Sequence, residues 1–255
     1  MRRVRRIEGR QSLYEGIVAA LRVVASPGEL WATFRDYVGV GRRRRLEPVT
    51  DADSLARFLQ TRSSFVAQTS LYGYVRTRAG MRYPELFHDD GFVGSINIAK
   101  WQIWLACLSD VSVYAGGMLA REAPNSAEDV RPLMVAVVCG ILAETGTPPD
   151  AGSDFASSSR EVLERLSACD WAAVTDDAGA FSESPPALVR WAPIVDELKQ
   201  FDEPIVLNSV RFRWQEVRRD FRQALDAGSV MEGVPGSPPA GKLAGAERFA
   251  TPFSP

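Results

Sequence analysis

Apolar residues recur at helical spacing through most of this chain. The clearest row lies in residues 203–226, where apolar side chains stand three or four positions apart: Leu207, Val210, Trp214, Val217, Phe221 and Leu225. This spacing places them on one side of an α-helix, and the arginines of the same stretch lie off that side. No stretch alternates apolar and polar residues as a half-buried strand does. The pattern predicts an all-α fold, a single irregular bundle of about seven helices without a significant sheet.

Helix-start signals divide the chain into elements. Residues 26–29 (Ser-Pro-Gly-Glu), 50–53 (Thr-Asp-Ala-Asp) and 126–129 (Ser-Ala-Glu-Asp) each place a side-chain acceptor and early carboxylates beside unpaired backbone N–H groups. Asp89 or Asp90 is a further candidate cap. We expect helices over residues 26–38, 51–78, 91–120, 127–145, 158–174, 186–200 and 203–226.

These elements predict three parts of the chain. Residues 1–25 form a basic, amphipathic N-terminal segment, and residues 26–226 form the helical domain. In residues 227–255 glycine and proline accumulate and the apolar period is lost. We expect this last part to be a disordered tail.

The positive charge of the chain is concentrated at its start. The 255 residues carry a net charge of −2, yet residues 1–45 hold eleven arginines against four acidic residues, a local charge of +7 that leaves −9 for the rest. Arg42, Arg43, Arg44 and Arg45 are consecutive, and four adjacent guanidinium groups cannot all find partners within the chain. Clusters of this kind bind phosphates and carboxylates.

The basic region therefore predicts an anionic partner, either a membrane surface or an acidic protein. Nucleic acid is less favoured, because an amphipathic face over residues 14–24 adjoins the first arginines, as in helices that lie on membranes. A solvated basic loop is the alternative, and the amphipathic face could equally pack on the protein's own core. The sequence does not indicate an oligomeric state.

The three cysteines, Cys107, Cys139 and Cys169, are too few and too widely spaced for a disulfide framework. They are typical of free thiols in a reducing compartment. No uninterrupted apolar core follows the basic start, as a secretory signal requires, and no apolar run reaches the roughly 20 residues that span a bilayer. We expect a cytoplasmic protein without a transmembrane helix, with the inner membrane face as an alternative position.

The chain has a single histidine, His88. One histidine cannot supply the paired Glu-x-x-His motifs of a di-iron bundle or a zinc site of several His and Cys ligands, so we expect no metal and no cofactor. His88 precedes Asp89 and Asp90, which suits either a base oriented by a carboxylate or a loop histidine beside a helix cap. Gly-x-Ser-x-Gly and phosphate-binding glycine motifs are absent from the sequence.

Two ionisable residues fall on apolar helix faces, Arg62 in the predicted helix 51–78 and Asp110 in the helix 91–120. A buried charge is costly unless it is paired. We therefore predict that Arg62 and Asp110 meet, directly or through Tyr72, Tyr74 or Tyr114. The alternative hypothesis is that these five residues line a polar pocket.

Gly116 and Gly117 are adjacent in the same predicted helix as Asp110. Glycine inside a helix either permits close contact with a neighbouring element or leaves space for a ligand. Close contact is the commoner arrangement.

Residues 65–74 (Phe-Val-Ala-Gln-Thr-Ser-Leu-Tyr-Gly-Tyr), followed by Arg76-Thr77-Arg78 and later by Ser95-Ile96 with Ala99-Lys100, carry a family resemblance. The pattern resembles uncharacterised proteobacterial helical proteins that sometimes bear an esterase label, and it spans about a quarter of the chain. The resemblance implies ester hydrolysis but assigns no catalytic residue.

The sequence thus leaves two functional hypotheses. The first is a non-catalytic helical interaction or assembly protein whose basic N-terminal region docks on an anionic surface. The alternative is an ester hydrolase or ligand-binding bundle whose pocket uses Arg62, Asp110 and the three tyrosines, with His88 as a weak catalytic candidate.

Overall fold

The computed structural model describes residues 46–123 and 127–232, and within these ranges the chain is built from α-helices with no strand. Two 3-10 segments, Gly80–His88 and Trp171–Ala173, connect helices. The α-helices are α1 (Ala52–Ala79), α2 (Asp90–Glu122), α3 (Ala127–Thr145), α4 (Phe155–Ala168), α5 (Ser184–Trp191), α6 (Asp196–Ala224) and α7 (Ala227–Glu232). The prediction of an all-α bundle is confirmed.

The first helix begins and ends at the residues that the sequence indicated. Asp51 accepts a hydrogen bond from the Ser54 backbone N–H at 2.7 Å, and the Ser54 hydroxyl accepts one from the Asp51 N–H at 3.1 Å, which completes a capping box. At the other end, Gly80 has a φ of 55° and its N–H donates to the Arg76 carbonyl. Glycine adopts this conformation without steric penalty, so α1 stops there.

Helix α2 is the centre of the bundle. It packs against α1, α3, α4, α5 and α7, and because it is covered on nearly all sides its sequence is apolar around most of its circumference. By length and composition it is also the one helix in the described ranges that could span a bilayer, but 89% of its most apolar window is buried inside the protein. Its apolar character is accounted for by its place in the core.

The two glycines of α2 allow close contact with the segment that follows α4. Trp171 packs against Gly116, where an added Cβ would lie 2.6 Å from an indole carbon, and Val174 packs against Gly117, where the Cβ would lie 2.5 Å from the Val174 Cβ. Such distances leave no room for a side chain. These glycines serve close packing rather than a ligand cavity.

Two predicted boundaries are wrong in the second half of the chain. Helix α5 ends at Trp191, well short of residue 200, because Pro193 follows and cannot continue the helix. Helix α6 begins at Asp196 and runs through Pro204, where we expected a helix start. Pro204 removes one backbone donor, but it lies on the exposed side of α6, where water can hydrate the backbone. The predicted helix 158–174 is α4 followed by a short 3-10 turn.

The prediction that disorder begins at residue 227 is also wrong. Residues 227–232 form α7, in which Ala227, Val230 and Met231 are buried. The Asp226 carboxylate accepts a hydrogen bond from the Ser229 N–H at 3.1 Å and so starts this helix. One and a half turns are too short to give a visible apolar period. Residues 233–255 lie outside the described residues.

The N-terminal predictions fall outside the described residues as well. These are the amphipathic segment 1–25, the helix 26–38 and the arginines 42–45. The description starts at residue 46, and Val49 then pairs with the end of α6, donating to the Ala224 carbonyl at 2.8 Å and accepting from Asp226 N–H at 2.9 Å.

Candidate functional site

Asp110 is completely buried on α2, and four donors surround its carboxylate. Oδ1 accepts from Arg165 Nη1 at 2.8 Å and from the Glu183 N–H at 3.1 Å. Oδ2 accepts from the Ser184 N–H at 2.7 Å and from its hydroxyl at 2.6 Å. Burial raises the pKa of Asp110, whereas the charge of Arg165 and the hydrogen bonds from Ser184 lower it. The carboxylate caps the start of α5 from a neighbouring helix.

The surroundings of Asp110 extend this network to α6. Trp214 donates its indole N–H to the Ser184 hydroxyl at 2.9 Å, and Phe181 stacks on Trp214 with ring centroids 4.6 Å apart. Cys107 is buried nearby, and burial raises the pKa of its thiol. A raised pKa makes a cysteine unreactive. The Asp110 cluster therefore joins α2, α4, α5 and α6, and its carboxylate is shielded from solvent.

Arg62 lies in a different ion pair. It pairs with Asp220 of α6 at 3.0 Å, and its guanidinium carbon lies 5.1 Å from the centroid of the Phe58 ring. Arg62 and Asp110 are both buried, as predicted, but the predicted contact between them is wrong. Their partners come from α6 and α4, and the apolar period of α1 and α2 carries no information about those helices.

Two of the three tyrosines bind carboxylates at separate places. The Tyr74 hydroxyl donates a hydrogen bond to the Asp202 carboxylate at 2.9 Å, and Arg78 forms an ion pair with the same carboxylate. Tyr114 donates to Asp176 at 2.9 Å. Burial raises the pKa of both phenols, and the neighbouring carboxylate adds to this effect at Tyr114.

Tyr72 differs from the other two. Its buried hydroxyl has no hydrogen-bond partner in the part of the chain that the structure describes, and burial raises its pKa. The residues that sequence reasoning grouped as one cluster or pocket are thus distributed over several separate contacts.

His88 is exposed at the end of the first 3-10 segment. The neighbouring Asp89 carboxylate accepts hydrogen bonds from the Gly91 N–H at 2.8 Å and the Phe92 N–H at 3.1 Å, and so caps α2. This arrangement agrees with the interpretation of His88 as a loop residue beside a helix cap. Among the described residues, no group of three or more His, Cys, Asp and Glu side chains could hold a metal ion.

Two surface depressions lie beside α6. The first, of about 450 Å³, is an open groove at the start of the helix, lined by Ser95, Ile98, Ala192, Pro193, Val195, Lys199 and residues 190, 191 and 194. The second, of about 370 Å³, is lined by Ala178, Phe181, Asn208, Arg211, Phe212, Trp214, Gln215 and Arg218. Neither contains any residue of the predicted pocket.

Helix α6 also exposes large apolar side chains. Phe201, Ile205 and Phe212 are 81%, 73% and 72% exposed, and Leu198 is 38% exposed. With Asn208, these residues form one row at spacings of three and four, which we name the α6 exposed face. It lies about 160° around the helix from the buried row at the standard 3.6 residues per turn. The buried row consists of Val206, Val210, Trp214, Val217 and Phe221.

Sequence reasoning missed this face, although its spacing is visible in the sequence. The predicted helix boundary between residues 200 and 203 divided the row, so that Leu198 and Phe201 were separated from Ile205 and Phe212. A predicted helix that continued through Pro204 would have shown two apolar rows.

Comparisons with known protein families, with curated proteins and with solved structures found no match to this chain.

Proposed function

We propose that this protein is a helical interaction and assembly protein without a catalytic role. In this proposal the α6 exposed face binds a helix of another chain, while the basic residues 1–45 dock on an anionic surface. The observation that carries the proposal is the exposed face itself. Burying one large apolar side chain stabilises a complex by about 1.5–3 kcal/mol, so three aromatic and aliphatic side chains in one row are a substantial contact.

The spacing of the face favours a helical partner. Leu198, Ile205 and Phe212 are seven residues apart, and Phe201 and Asn208 lie between them at the other core positions of a heptad. Two helices with this repeat pack side by side, each inserting its side chains between those of the other. Contiguous apolar patches on a protein surface are typical of such contacts.

The interior charges support a non-catalytic role. Asp110 is used to cap α5, and Arg62 is paired with Asp220 within the bundle. Neither Asp110 nor Arg62 lines either of the two surface depressions. No observation in the described residues favours the alternative of an ester-hydrolysing pocket.

The charge distribution determines which part of the protein faces an anionic surface. Residues 46–232 contain 17 basic and 27 acidic residues, a net charge of −10, against +7 for residues 1–45. An anionic surface repels the helical body and attracts the N-terminal region. Membrane and acidic protein share this chemistry, and an inner-membrane position in the cytoplasm follows if the surface is lipid.

Photo-crosslinking tests the helix-binding role. A photoreactive residue in place of the exposed Ser209, beside the face, is expected to link the protein to another protein chain in cells. Phe201→Asp should abolish the link by placing a charge in the contact. Gln200→Asp, an exposed position about 100° around the same helix from Phe201, should leave it intact. The proposal is refuted if no linked protein depends on Phe201.

Vesicle co-sedimentation tests the docking role. The full chain should sediment with vesicles containing phosphatidylserine and not with vesicles of neutral lipid, and added salt should weaken binding. Changing Arg42, Arg43, Arg44 and Arg45 to serine should remove most of it. Equal sedimentation of the two proteins would exclude docking by these arginines, and binding of an acidic protein alone would identify protein as the surface.

A further inference from the structure

We propose that the depression of about 370 Å³ beside α6 is a binding site for a small aromatic carboxylate. Its lining combines two arginines, two side-chain amides and three aromatic rings, and no acidic side chain belongs to it among the described residues. A volume of about 370 Å³ lies at the small end of the range of roughly 300–1,000 Å³ for ligand sites. The site shares Asn208 and Phe212 with the α6 exposed face, but it takes a small molecule rather than a helix.

The charge of the lining favours an anion. Residues 46–232 carry a net charge of −10, yet both charged residues of the depression, Arg211 and Arg218, are basic. Asp176 and Asp177 lie on the loop beside the depression and offset part of this charge, but they do not line it. A carboxylate matches the planar arrangement of donors on a guanidinium group.

Both arginines retain donors for a ligand. Within the described residues Arg211 forms no ion pair, and its Nη1 makes one long hydrogen bond to Asn208 Oδ1 at 3.4 Å. Arg218 binds Asp176 through Nη2, at 2.5 Å from the backbone carbonyl and 3.1 Å from Oδ1. The Arg218 Nε has no hydrogen-bond partner in the described part of the chain. Since a guanidinium group has five N–H donors, Arg211 can bind a carboxylate through two of them.

The aromatic residues of the depression provide surfaces for a ring. Phe181 and Trp214 stack with ring centroids 4.6 Å apart and are almost fully buried, so they form the floor. Phe212 is mostly exposed and stands at the rim. A flat ring that lies between Phe212 and the floor buries apolar surface on both of its sides.

The polar residues of the depression lie along one stripe of α6. Asn208, Arg211, Gln215 and Arg218 are spaced three, four and three residues apart, which places them on one side of the helix. On the floor, the Trp214 indole N–H donates to the Ser184 hydroxyl at 2.9 Å and so fixes the ring. The site is therefore formed by a helix and a packed floor before any ligand binds.

The groove at the start of α6 does not support the same inference. It is also lined by two basic residues, but Lys199 is paired with Asp196 at 3.3 Å and donates to the Arg190 carbonyl at 3.2 Å. The Arg190 guanidinium carbon lies 5.1 Å from the centroid of the Trp191 ring. Both cations of that groove already contact other groups of the chain.

Heteronuclear NMR of the full chain tests the proposal with phenylacetate as the probe. The side-chain N–H signals of Asn208, Gln215 and Trp214 should shift until the site is saturated. Phenylacetamide keeps the ring but lacks the charge, and it should bind at least about tenfold more weakly because hydrogen bonds to a charged acceptor are stronger. Acetate keeps the charge but lacks the ring, and it should also bind at least about tenfold more weakly.

Substitutions on α6 locate the site. Arg211→Gln should weaken phenylacetate binding about tenfold or more, and it breaks no ion pair of the described residues. Arg219→Gln, at an exposed position of the same helix outside the lining, is the charge-matched control and should leave binding unchanged. Phe201→Ser removes a residue of the α6 exposed face that does not line the depression, so it should also leave phenylacetate binding unchanged.

The absence of a saturable shift with phenylacetate would overturn the proposal. Equally tight binding of phenylacetamide or of acetate would overturn the ligand class, because the arginines or the aromatic rings would then have no part in selection. Equal losses in Arg211→Gln and Arg219→Gln would show a general attraction to the basic side chains of α6, and the site would be refuted. These outcomes leave the helix-binding role untouched, since its test depends on Phe201.

Discussion

Replacing Asp110 with alanine should destabilise the protein strongly. The change removes the acceptor for Arg165 Nη1, for both donors of Ser184 and for the Glu183 N–H. Removing one partner of a buried ion pair costs about 3–5 kcal/mol. The Arg165 side chain is 24% exposed and can partly rehydrate, which argues for the lower end of this range. We expect the free energy of unfolding to fall by about 3 kcal/mol.

Urea denaturation followed by circular dichroism measures this loss. Asp110→Asn keeps the shape and one acceptor oxygen, so it should lose less than the alanine variant. Arg57→Ala breaks the exposed pair between Arg57 and Glu47, which are 57% and 71% exposed, and should cost less than about 0.5 kcal/mol. A loss below about 1 kcal/mol for Asp110→Ala would refute the cap that we assign to this carboxylate.

Further predictions use matched substitutions and the same unfolding measurement. Gly116→Ala should cost about 1–3 kcal/mol, because its Cβ would lie 2.6 Å from a packed indole carbon, whereas Gly140→Ala, with no atom within 4 Å, should gain up to about 1 kcal/mol. Tyr114→Phe should lower the free energy of unfolding by about 1–2 kcal/mol, because it removes the hydrogen bond to Asp176. Tyr72→Phe should leave the free energy of unfolding unchanged, because the Tyr72 hydroxyl has no partner in the described part of the chain. Equal losses in the two variants would contradict this reasoning. Burial raises the pKa of Asp176, but hydrogen bonds from tyrosine and arginine and the arginine charge lower it overall. Its stabilising contribution is therefore present above the unfolded pKa of about 4 and is lost as the pH falls through the lower folded value. Asp176→Asn should flatten the acidic part of the stability–pH curve, and an unchanged slope would exclude this role.

The features that sequence analysis predicted well are local. Asp51 and Asp89 cap their helices through N–H groups two or three residues away, and Gly80 ends α1 through a bond to Arg76. Each of these interactions is complete within one helical turn. They can therefore be identified from neighbouring residues without any knowledge of how the helices pack.

Long-range partners were not predictable in the same way. The apolar period correctly placed Arg62 and Asp110 on buried faces, and α1 and α2 do pack together. The period does not determine which position of one helix meets which position of another. Asp220 and Arg165, from helices much later in the chain, therefore took the place of the expected pair.

Helix α6 carries two apolar rows, one buried in the bundle and one exposed to solvent. Its buried row holds Trp214 and Phe221 in the core, and this row alone accounts for its place in the bundle. The second row, with Phe201 and Phe212 mostly exposed, contributes nothing to that core. Exposure of such an apolar row to water is unfavourable. This cost is removed if another surface covers the row in the assembled protein. A helix with apolar rows on two sides is suited to lie between two bodies, and in the proposed function the second body is the helix of a binding partner.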